Sequence, residues 1–169
     1  MREACERLPG TREAIAALVA EGTVQSVVTG NIRSIASTKL NAFGLTVHLD
    51  LEVGGYGDDD GDRAVLVRLA IKRAEARYGV AFAPGRVVVI GDTPHDIKGA
   101  HGAGARAVGV ATGASNTAEL AATGADAVLP DLTDVAAVRK TGPGLRAVLR
   151  WLLISGRKSQ SWSRDVRYW

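Results

Sequence analysis

The chain has 169 residues and a mass of 17.6 kDa, with 46% apolar and 23% charged residues, the composition of an ordinary globular protein with one sizeable core. No apolar run approaches the roughly 18 to 20 residues of a membrane span, and no basic-then-apolar leader precedes the first element. The one cysteine, Cys5, cannot form an internal disulfide, so we expect a plain thiol in a reducing, cytoplasmic location.

Charge is unevenly distributed along the chain. Residues 1–138 carry 13 basic and 17 acidic side chains, a net charge of −4, whereas residues 139–169 carry 8 and 1, a net charge of +7. All three tryptophans also lie in the second segment. We therefore expect one domain over residues 1–138 and a basic tail over residues 139–169 that is partly disordered or non-native. The less favoured interpretation is a binding role, because basic residues interleaved with aromatic ones can bind nucleic acid or a membrane surface.

Helical and strand-like periods alternate through the first part of the chain. The helix TREAIAALVAEG ends at Gly22 and precedes a β-branched strand, TVQSVVTG. The next helix, NIRSIASTKLNAFG, has Asn31 as its expected N-cap. Its apolar residues at helical spacing are Ile32, Ile35, Ala36, Leu40 and Phe43. The segment VHLDLEV alternates strictly, which predicts a half-buried strand near a sheet edge.

A long amphipathic helix, DRAVLVRLAIKRAEARYG, is capped by Asp62 and followed by RVVVIGD, which is apolar as a strand buried on both faces should be. A short helix then precedes the strand RAVGVATG, the helix NTAELAATG, the strand DAVLP and the helix LTDVAAV. In the tail, GLRAVLRWLLISG could form a short apolar helix, and RKSQSWSRDVRYW looks unstructured. The alternation predicts an α/β, Rossmann-like fold, with a parallel sheet and helices on both faces. Ligands bind such folds at the carboxyl ends of the strands.

Two strand ends carry residues suited to chemistry. Thr29 and Gly30 precede a helix that is expected to open at Asn31, where free backbone N–H groups and the helix dipole attract phosphate. The same three residues also make a common turn and cap. Asp92 and Asp96 flank the turn after the buried strand; they either cap the next helix or hold Mg²⁺, which takes one or two carboxylates together with waters and phosphate oxygens.

Together, VVTGN (27–31) and GDTPHD (91–96) resemble the second and fourth motifs of the haloacid dehalogenase (HAD) superfamily, in its phosphoglycolate-phosphatase-like branch. The resemblance covers roughly Leu8 to Val138. It implies that Thr29 binds a transferring phosphoryl group and that Asp92 is a Mg²⁺ ligand. It also implies that Asp96 is a ligand or a partner of one, and that the substrate is a small phosphorylated metabolite.

The third motif of the superfamily is a lysine at a helix start, which neutralises phosphate charge. The matching position here is Arg63, a departure because the guanidinium is a planar fork and not a point charge. Lys39 is the rival candidate for this role. The neighbouring run of three acids, residues 58–60, is interpreted as a solvated loop and not as a second metal site.

The first motif is absent. HAD phosphatases attack with an aspartate from a D-x-D motif on a central first strand, and the acids of residues 58–62 follow no apolar strand. We therefore expect an N-terminally truncated core whose central strand is missing, so that its two neighbours either pair directly or stay exposed and sticky. The expected function is a Mg²⁺-dependent HAD-type hydrolase with negligible turnover. The alternative is a non-catalytic Mg²⁺- and phosphate-binding or interaction module in which the basic tail binds the partner.

Overall fold

The computed structural model describes residues 9–112, 115–142 and 149–153. Five strands form one parallel sheet with the order β1-β5-β2-β3-β4. The strands are Val24–Val28 (β1), Val87–Gly91 (β2), Arg106–Val110 (β3), Ala127–Leu129 (β4) and Leu149–Leu153 (β5). The predicted α/β fold with a parallel sheet is confirmed.

Helices cover both faces of this sheet. They are Thr11–Ala20 (α1), Arg33–Ala42 (α2), Arg63–Tyr78 (α3), Pro94–Gly102 (α4), Thr117–Ala122 (α5) and Val135–Lys140 (α6). Buried residues of α1, α2 and α6 form one core cluster with Val88 and Ile90 of β2. Those of α3, α4 and α5 form a second cluster with Val87 and Val89. Because successive strand residues point to opposite faces, β2 contributes to both clusters, as its continuous apolar sequence predicts.

The segment of strand β5 was predicted to be a short apolar helix, and that prediction is wrong. It pairs with β1 from Val24↔Leu149 to Val28↔Leu153 and with β2 from Val87↔Leu149 onward. The tail therefore supplies a strand between β1 and β2, the place in which the missing central strand was expected. The two neighbours do not pair directly. The rest of the tail, residues 143–148 and 154–169, lies outside the described residues.

Residues 47–53 were predicted to form an edge strand but instead form short 3-10 turns, at Thr46–His48 and Leu51–Val53. Local hydrogen bonds explain the difference, because the Asp50 carboxylate accepts from the backbone N–H of Glu52 at 3.0 Å and so competes with strand pairing. The segment still contacts β1 through its backbone, by the bond from the N–H of Asp50 to the Gln25 carbonyl at 2.8 Å and by the bridge Val28↔Gly55. A third 3-10 turn, Pro84–Arg86, precedes β2.

The boundaries of the two helices nearest the strand ends also bear on the site. Helix α3 is capped as predicted, since the Asp62 carboxylate accepts from the N–H of Ala64 at 2.7 Å. Helix α2 begins at Arg33 with Ile32 in the cap position, so the prediction of Asn31 as its N-cap is wrong. Ile32 and Ile35 are 45% and 46% exposed, although their spacing had placed them with the buried face.

Candidate functional site

The ends of β1 and β2 lie level with each other at the carboxyl edge of the sheet. Val28 pairs with Leu153, and Ile90 pairs with Leu152, so that Thr29 and Asp92 follow their strands at the same height. One strand separates them, which corresponds to roughly 9–10 Å between their backbones at ordinary strand spacing. The sheet thus brings the two predicted strand-end segments to one edge, with the end of β5 between them.

The loop after β1, residues 29–31, is held by its own side chains. Thr29 is fully buried, and its Oγ1 accepts from the backbone N–H of Asn31 at 3.1 Å and from Asn31 Nδ2 at 3.0 Å. A hydroxyl oxygen has two lone pairs and one proton. Both lone pairs of Thr29 accept hydrogen bonds here, so any further hydrogen bond of this hydroxyl must be donated by its O–H. This explains why Asn31 is not the N-cap of α2: its side chain turns back to Thr29.

The loop after β2 opens helix α4. Thr93 is the N-cap and Pro94 occupies the first turn; the Thr93 hydroxyl accepts from the N–H of Asp96 at 3.3 Å. Asp96 is fully buried, whereas Asp92 is half-buried at the strand end. The Asp96 side chain packs so closely on Gly91 that a Cβ at position 91 would lie 2.4 Å from the Cβ of Asp96.

Arg63 links the two loops. Its Nε lies 3.3 Å from Asp96 Oδ1, and the two side chains are 13% and 0% exposed. Its Nη1 faces Gly30, where an ideal Cβ would lie 3.6 Å from that nitrogen. The stem of the side chain rests on Gly99 of α4, because a Cβ there would lie 2.4 Å from Arg63 Cγ. The sequence did not predict that Gly91 and Gly99 make room for the side chains of Asp96 and Arg63. The only indication was the number of small residues around the fourth motif.

Lys39, the rival of Arg63, lies on the other side of the β1 loop. Its Nζ is 3.5 Å from Asn31 Oδ1, at the outer limit of a hydrogen bond, and the side chain is half-buried. Arg63 therefore contacts residues of both strand ends, whereas the hydrogen bond of Lys39 reaches the β1 loop. The planar guanidinium has several nitrogens, so Arg63 can approach Asp96 with Nε and Gly30 with Nη1 at the same time.

The acids of residues 58–60 have structural partners. Asp58 Oδ1 accepts from the N–H of Arg33 at 3.0 Å, and Asp60 Oδ1 accepts from the N–H of Asp62 at 2.7 Å. Asp59 binds Arg73 through two hydrogen bonds of 2.7 and 2.6 Å. Within the described residues, no group of three or more His, Cys, Asp or Glu side chains could hold a metal ion.

The Asp59–Arg73 pair predicts a pH dependence of stability. The hydrogen bond from Arg73 holds the pKa of Asp59 below its ordinary value of 3.8. A carboxyl group whose pKa is lower in the folded state stabilises the fold above its unfolded-state pKa and loses that contribution as the pH falls through the folded-state value. We expect Asp59→Asn to cost about 1 kcal/mol at pH 7.

The cost of Asp59→Asn should shrink as the pH falls below about 4. Urea unfolding of both proteins between pH 7 and pH 2.5 measures the difference. A difference that stays constant down to pH 2.5 would show that the charge of Asp59 does not contribute.

The fold and the strand-end site define the class of the protein: a doubly wound α/β chain with its polar groups at the carboxyl edge of a parallel sheet. Residues 64–135 match the family model described as HAD-hydrolase-like. The resemblance to the HAD superfamily is confirmed: residues 64–135 are similar to the HAD-like hydrolase model, and the fold is HAD-like. No curated protein matches the chain significantly in sequence.

Solved structures agree with this assignment of the fold. A predicted phosphatase from Clostridium acetobutylicum is 20% identical, with a TM-score of 0.63 over 78% of this chain and 59% of that one. A conserved HAD-like protein of unknown function from Agrobacterium tumefaciens is 25% identical, with a TM-score of 0.60 over 79% and 60% of the two chains. A predicted phosphoglycolate phosphatase from Haemophilus somnus is 24% identical, with a TM-score of 0.58 over 78% and 56%.

The chain therefore spans less than two thirds of the length of the solved structures that it matches. Among the residues that the structure describes, no helix has both the length and the apolar character to cross a bilayer.

Proposed function

We propose that the carboxyl edge of the sheet binds the phosphoryl group of a small phosphorylated metabolite together with Mg²⁺, as the site of a HAD-type hydrolase. The position of Arg63 is the observation that carries this proposal. Its guanidinium faces Gly30 on one side and pairs with Asp96 on the other. A positive charge held between the two strand-end loops suits an anion that contacts both.

The β1 loop would hold the phosphoryl oxygens. Asn31 holds the Thr29 hydroxyl in place, and Gly30 is exposed at the edge, so that the backbone can approach an anion closely. Arg63 would neutralise the phosphoryl charge with the nitrogens of its fork that do not bind Asp96. These are the roles that the resemblance implies for the second and third motifs.

The two acids after β2, Asp92 and Asp96, suit different roles at a Mg²⁺ site. Asp92 would supply a carboxylate oxygen of the kind that Mg²⁺ prefers, with waters and phosphate oxygens as the other ligands. Asp96 is occupied by Arg63 at 3.3 Å, which favours a role as partner of the arginine over direct ligation. The ion would neutralise charge on the phosphoryl oxygens.

The sequence directly after β5 does not contain the aspartate of a D-x-D motif. The residues after Leu153 are Ile154, Ser155 and Gly156, so no carboxylate follows the strand that ends between Thr29 and Asp92. We therefore propose phosphate binding with negligible turnover. Release of phosphate from an aryl phosphate at a robust, Mg²⁺-dependent rate would contradict the second part of this proposal.

The lack of an aspartate directly after β5 favours a second candidate function, a non-catalytic Mg²⁺- and phosphate-binding module. Part of the tail has a structural role in the fold, because residues 149–153 form a strand inside the sheet. Deleting residues 141–169 would remove that strand, so the deletion cannot test the tail as a binding segment by itself.

Titration calorimetry with tungstate, a phosphate analogue, in the presence of Mg²⁺ tests the binding proposal. We expect Arg63→Gln to weaken binding at least tenfold, because it removes a charge-assisted contact of about 1.5–3 kcal/mol. Lys72→Gln is the matched control: it removes one positive charge from an exposed position of the same helix and should leave the affinity unchanged. Equal affinities for all three proteins would refute the assigned role of Arg63.

A further inference from the structure

A second segment of backbone runs along the loop after β1. We call residues 54–59 the brace and residues 29–31 the phosphate loop. Gly55 accepts from the N–H of Thr29 at 2.9 Å, and the N–H of Gly57 donates to the carbonyl of Asn31 at 2.9 Å. The brace therefore contacts the phosphate loop at both of its ends.

The closest contact of the brace is made by Gly57. An ideal Cβ at this position would lie 2.1 Å from the carbonyl oxygen of Gly30 and 2.7 Å from its carbonyl carbon. Non-bonded Cβ atoms do not approach other heavy atoms this closely, so a side chain at position 57 would require a displacement of roughly 1 Å. Gly61, four residues further on, has nothing within 4 Å of its ideal Cβ.

The brace is anchored on the side away from the phosphate loop. The N–H of Tyr56 donates to Asp59 Oδ2 at 3.0 Å, and Asp59 is held by Arg73 of α3. The Tyr56 ring is buried, with 2% exposure, and its hydroxyl donates to the carbonyl of Leu51 at 2.6 Å; burial raises its pKa to about 12. A side chain at position 57 would therefore displace the exposed Gly30 more easily than the brace.

We propose that Gly57 is a positioning residue for the anion site: it sets the distance between the phosphate loop and the guanidinium of Arg63. The inference rests on the proposed function, because the loop is taken to hold the phosphoryl group. Helix α3 then controls the site twice. Arg63, at the start of the helix, faces the anion site. Arg73, further along the helix, binds the carbonyl of Gly54 and so holds the brace against the phosphate loop.

Three alanine variants test this inference by tungstate affinity with Mg²⁺, measured well below the unfolding midpoint. Gly57→Ala crowds the phosphate loop, and Gly61→Ala adds a methyl group to open space in the following turn. Leu18→Ala leaves a cavity at the opposite end of β1, since Leu18 is buried and its carbonyl accepts from the N–H of Thr23, which precedes that strand. A displacement near 1 Å at a binding group can cost up to about a hundredfold, so we expect Gly57→Ala to bind tungstate roughly 10- to 100-fold more weakly.

The two controls separate positioning from stability. We expect Gly61→Ala to change nothing and Leu18→Ala to lower the thermal midpoint without changing the affinity. If Gly57→Ala lowered the midpoint but kept the wild-type affinity, its role would be structural only and the inference would be overturned. Should Gly57→Ala not fold, Asp59→Asn loosens the anchor of the brace instead; its affinity must fall for the inference to stand.

A failure of the proposed function would give a different result from a failure of the inference about Gly57. If the wild-type chain bound no tungstate, the anion site itself would be refuted. The brace would then be tested without a ligand, by the amide resonances of Gly30 and Asn31. These must shift in Gly57→Ala and stay in place in Gly61→Ala; unmoved resonances in both variants would overturn the inference.

Discussion

Leu152→Pro is expected to destabilise the protein by roughly 3 kcal/mol or more and to lower its thermal midpoint by roughly 6–12 °C. Leu152 lies inside β5 and pairs with Val27 on one side and Ile90 on the other. Proline has no N–H to donate and its ring disturbs the ladder, so it is confined to edge strands and bulges in native sheets. A loss of this size is a large part of the 5–15 kcal/mol that stabilises a typical domain.

Leu152→Ala is the control for this variant because it keeps the backbone N–H. Thermal unfolding followed by circular dichroism should show a smaller decrease for alanine than for proline. Binding of a hydrophobic dye should increase in the proline variant, since the inner edges of β1 and β2 carry apolar residues that are at most 6% exposed, such as Val28 and Val89. If the proline variant unfolded at the wild-type midpoint, β5 would not be a strand of the stable core.

Arg63→Ala is expected to cost roughly 3–5 kcal/mol of stability, the range observed when one partner of a buried ion pair is removed. The substitution takes the guanidinium away from Asp96, whose side chain is fully buried. Burial of a carboxylate without its cation is costly in a medium of low dielectric constant. The free energy of unfolding in urea at pH 7 measures this cost.

The double variant Arg63→Ala with Asp96→Asn separates the charge effect from loss of packing. Because it removes the buried charge together with its partner, we expect it to recover a large part of the stability lost in Arg63→Ala. Purely additive losses would contradict a direct coupling between the two residues, and with it the explanation of why an arginine is held between the two strand ends.

Local sequence patterns predicted the elements that carry their own signals. Helix α3 has an N-cap aspartate and a helical apolar period, and its start at Arg63 follows from both. Strand β2 is apolar without interruption, which is the pattern of a strand between two layers of helices. The two loops at the carboxyl edge could be inferred because parallel strands end on the same side of a sheet.

The errors lie where non-local or competing contacts decide the structure. The apolar run that contains β5 fits a buried helix or a buried strand equally well by periodicity, and its two pairing partners lie more than 50 residues away in sequence. Asn31 has the chemistry of an N-cap, but the Thr29 hydroxyl takes both of its N–H groups. The close contacts at Gly57, Gly91 and Gly99 depend on which backbones meet in the fold, and no single residue of the sequence indicates them.

The central claim is that the loops after β1 and β2 form one anion site with Arg63 between them. A titration with inorganic phosphate in the presence of Mg²⁺, followed by the backbone amide resonances of a ¹⁵N-labelled chain, tests it most directly. We predict that the resonances of Gly30 and Asn31 and those of Asp92 and Thr93 shift along one saturation curve with one dissociation constant. Shifts in only one of the two loops, or two unrelated dissociation constants, would contradict the claim.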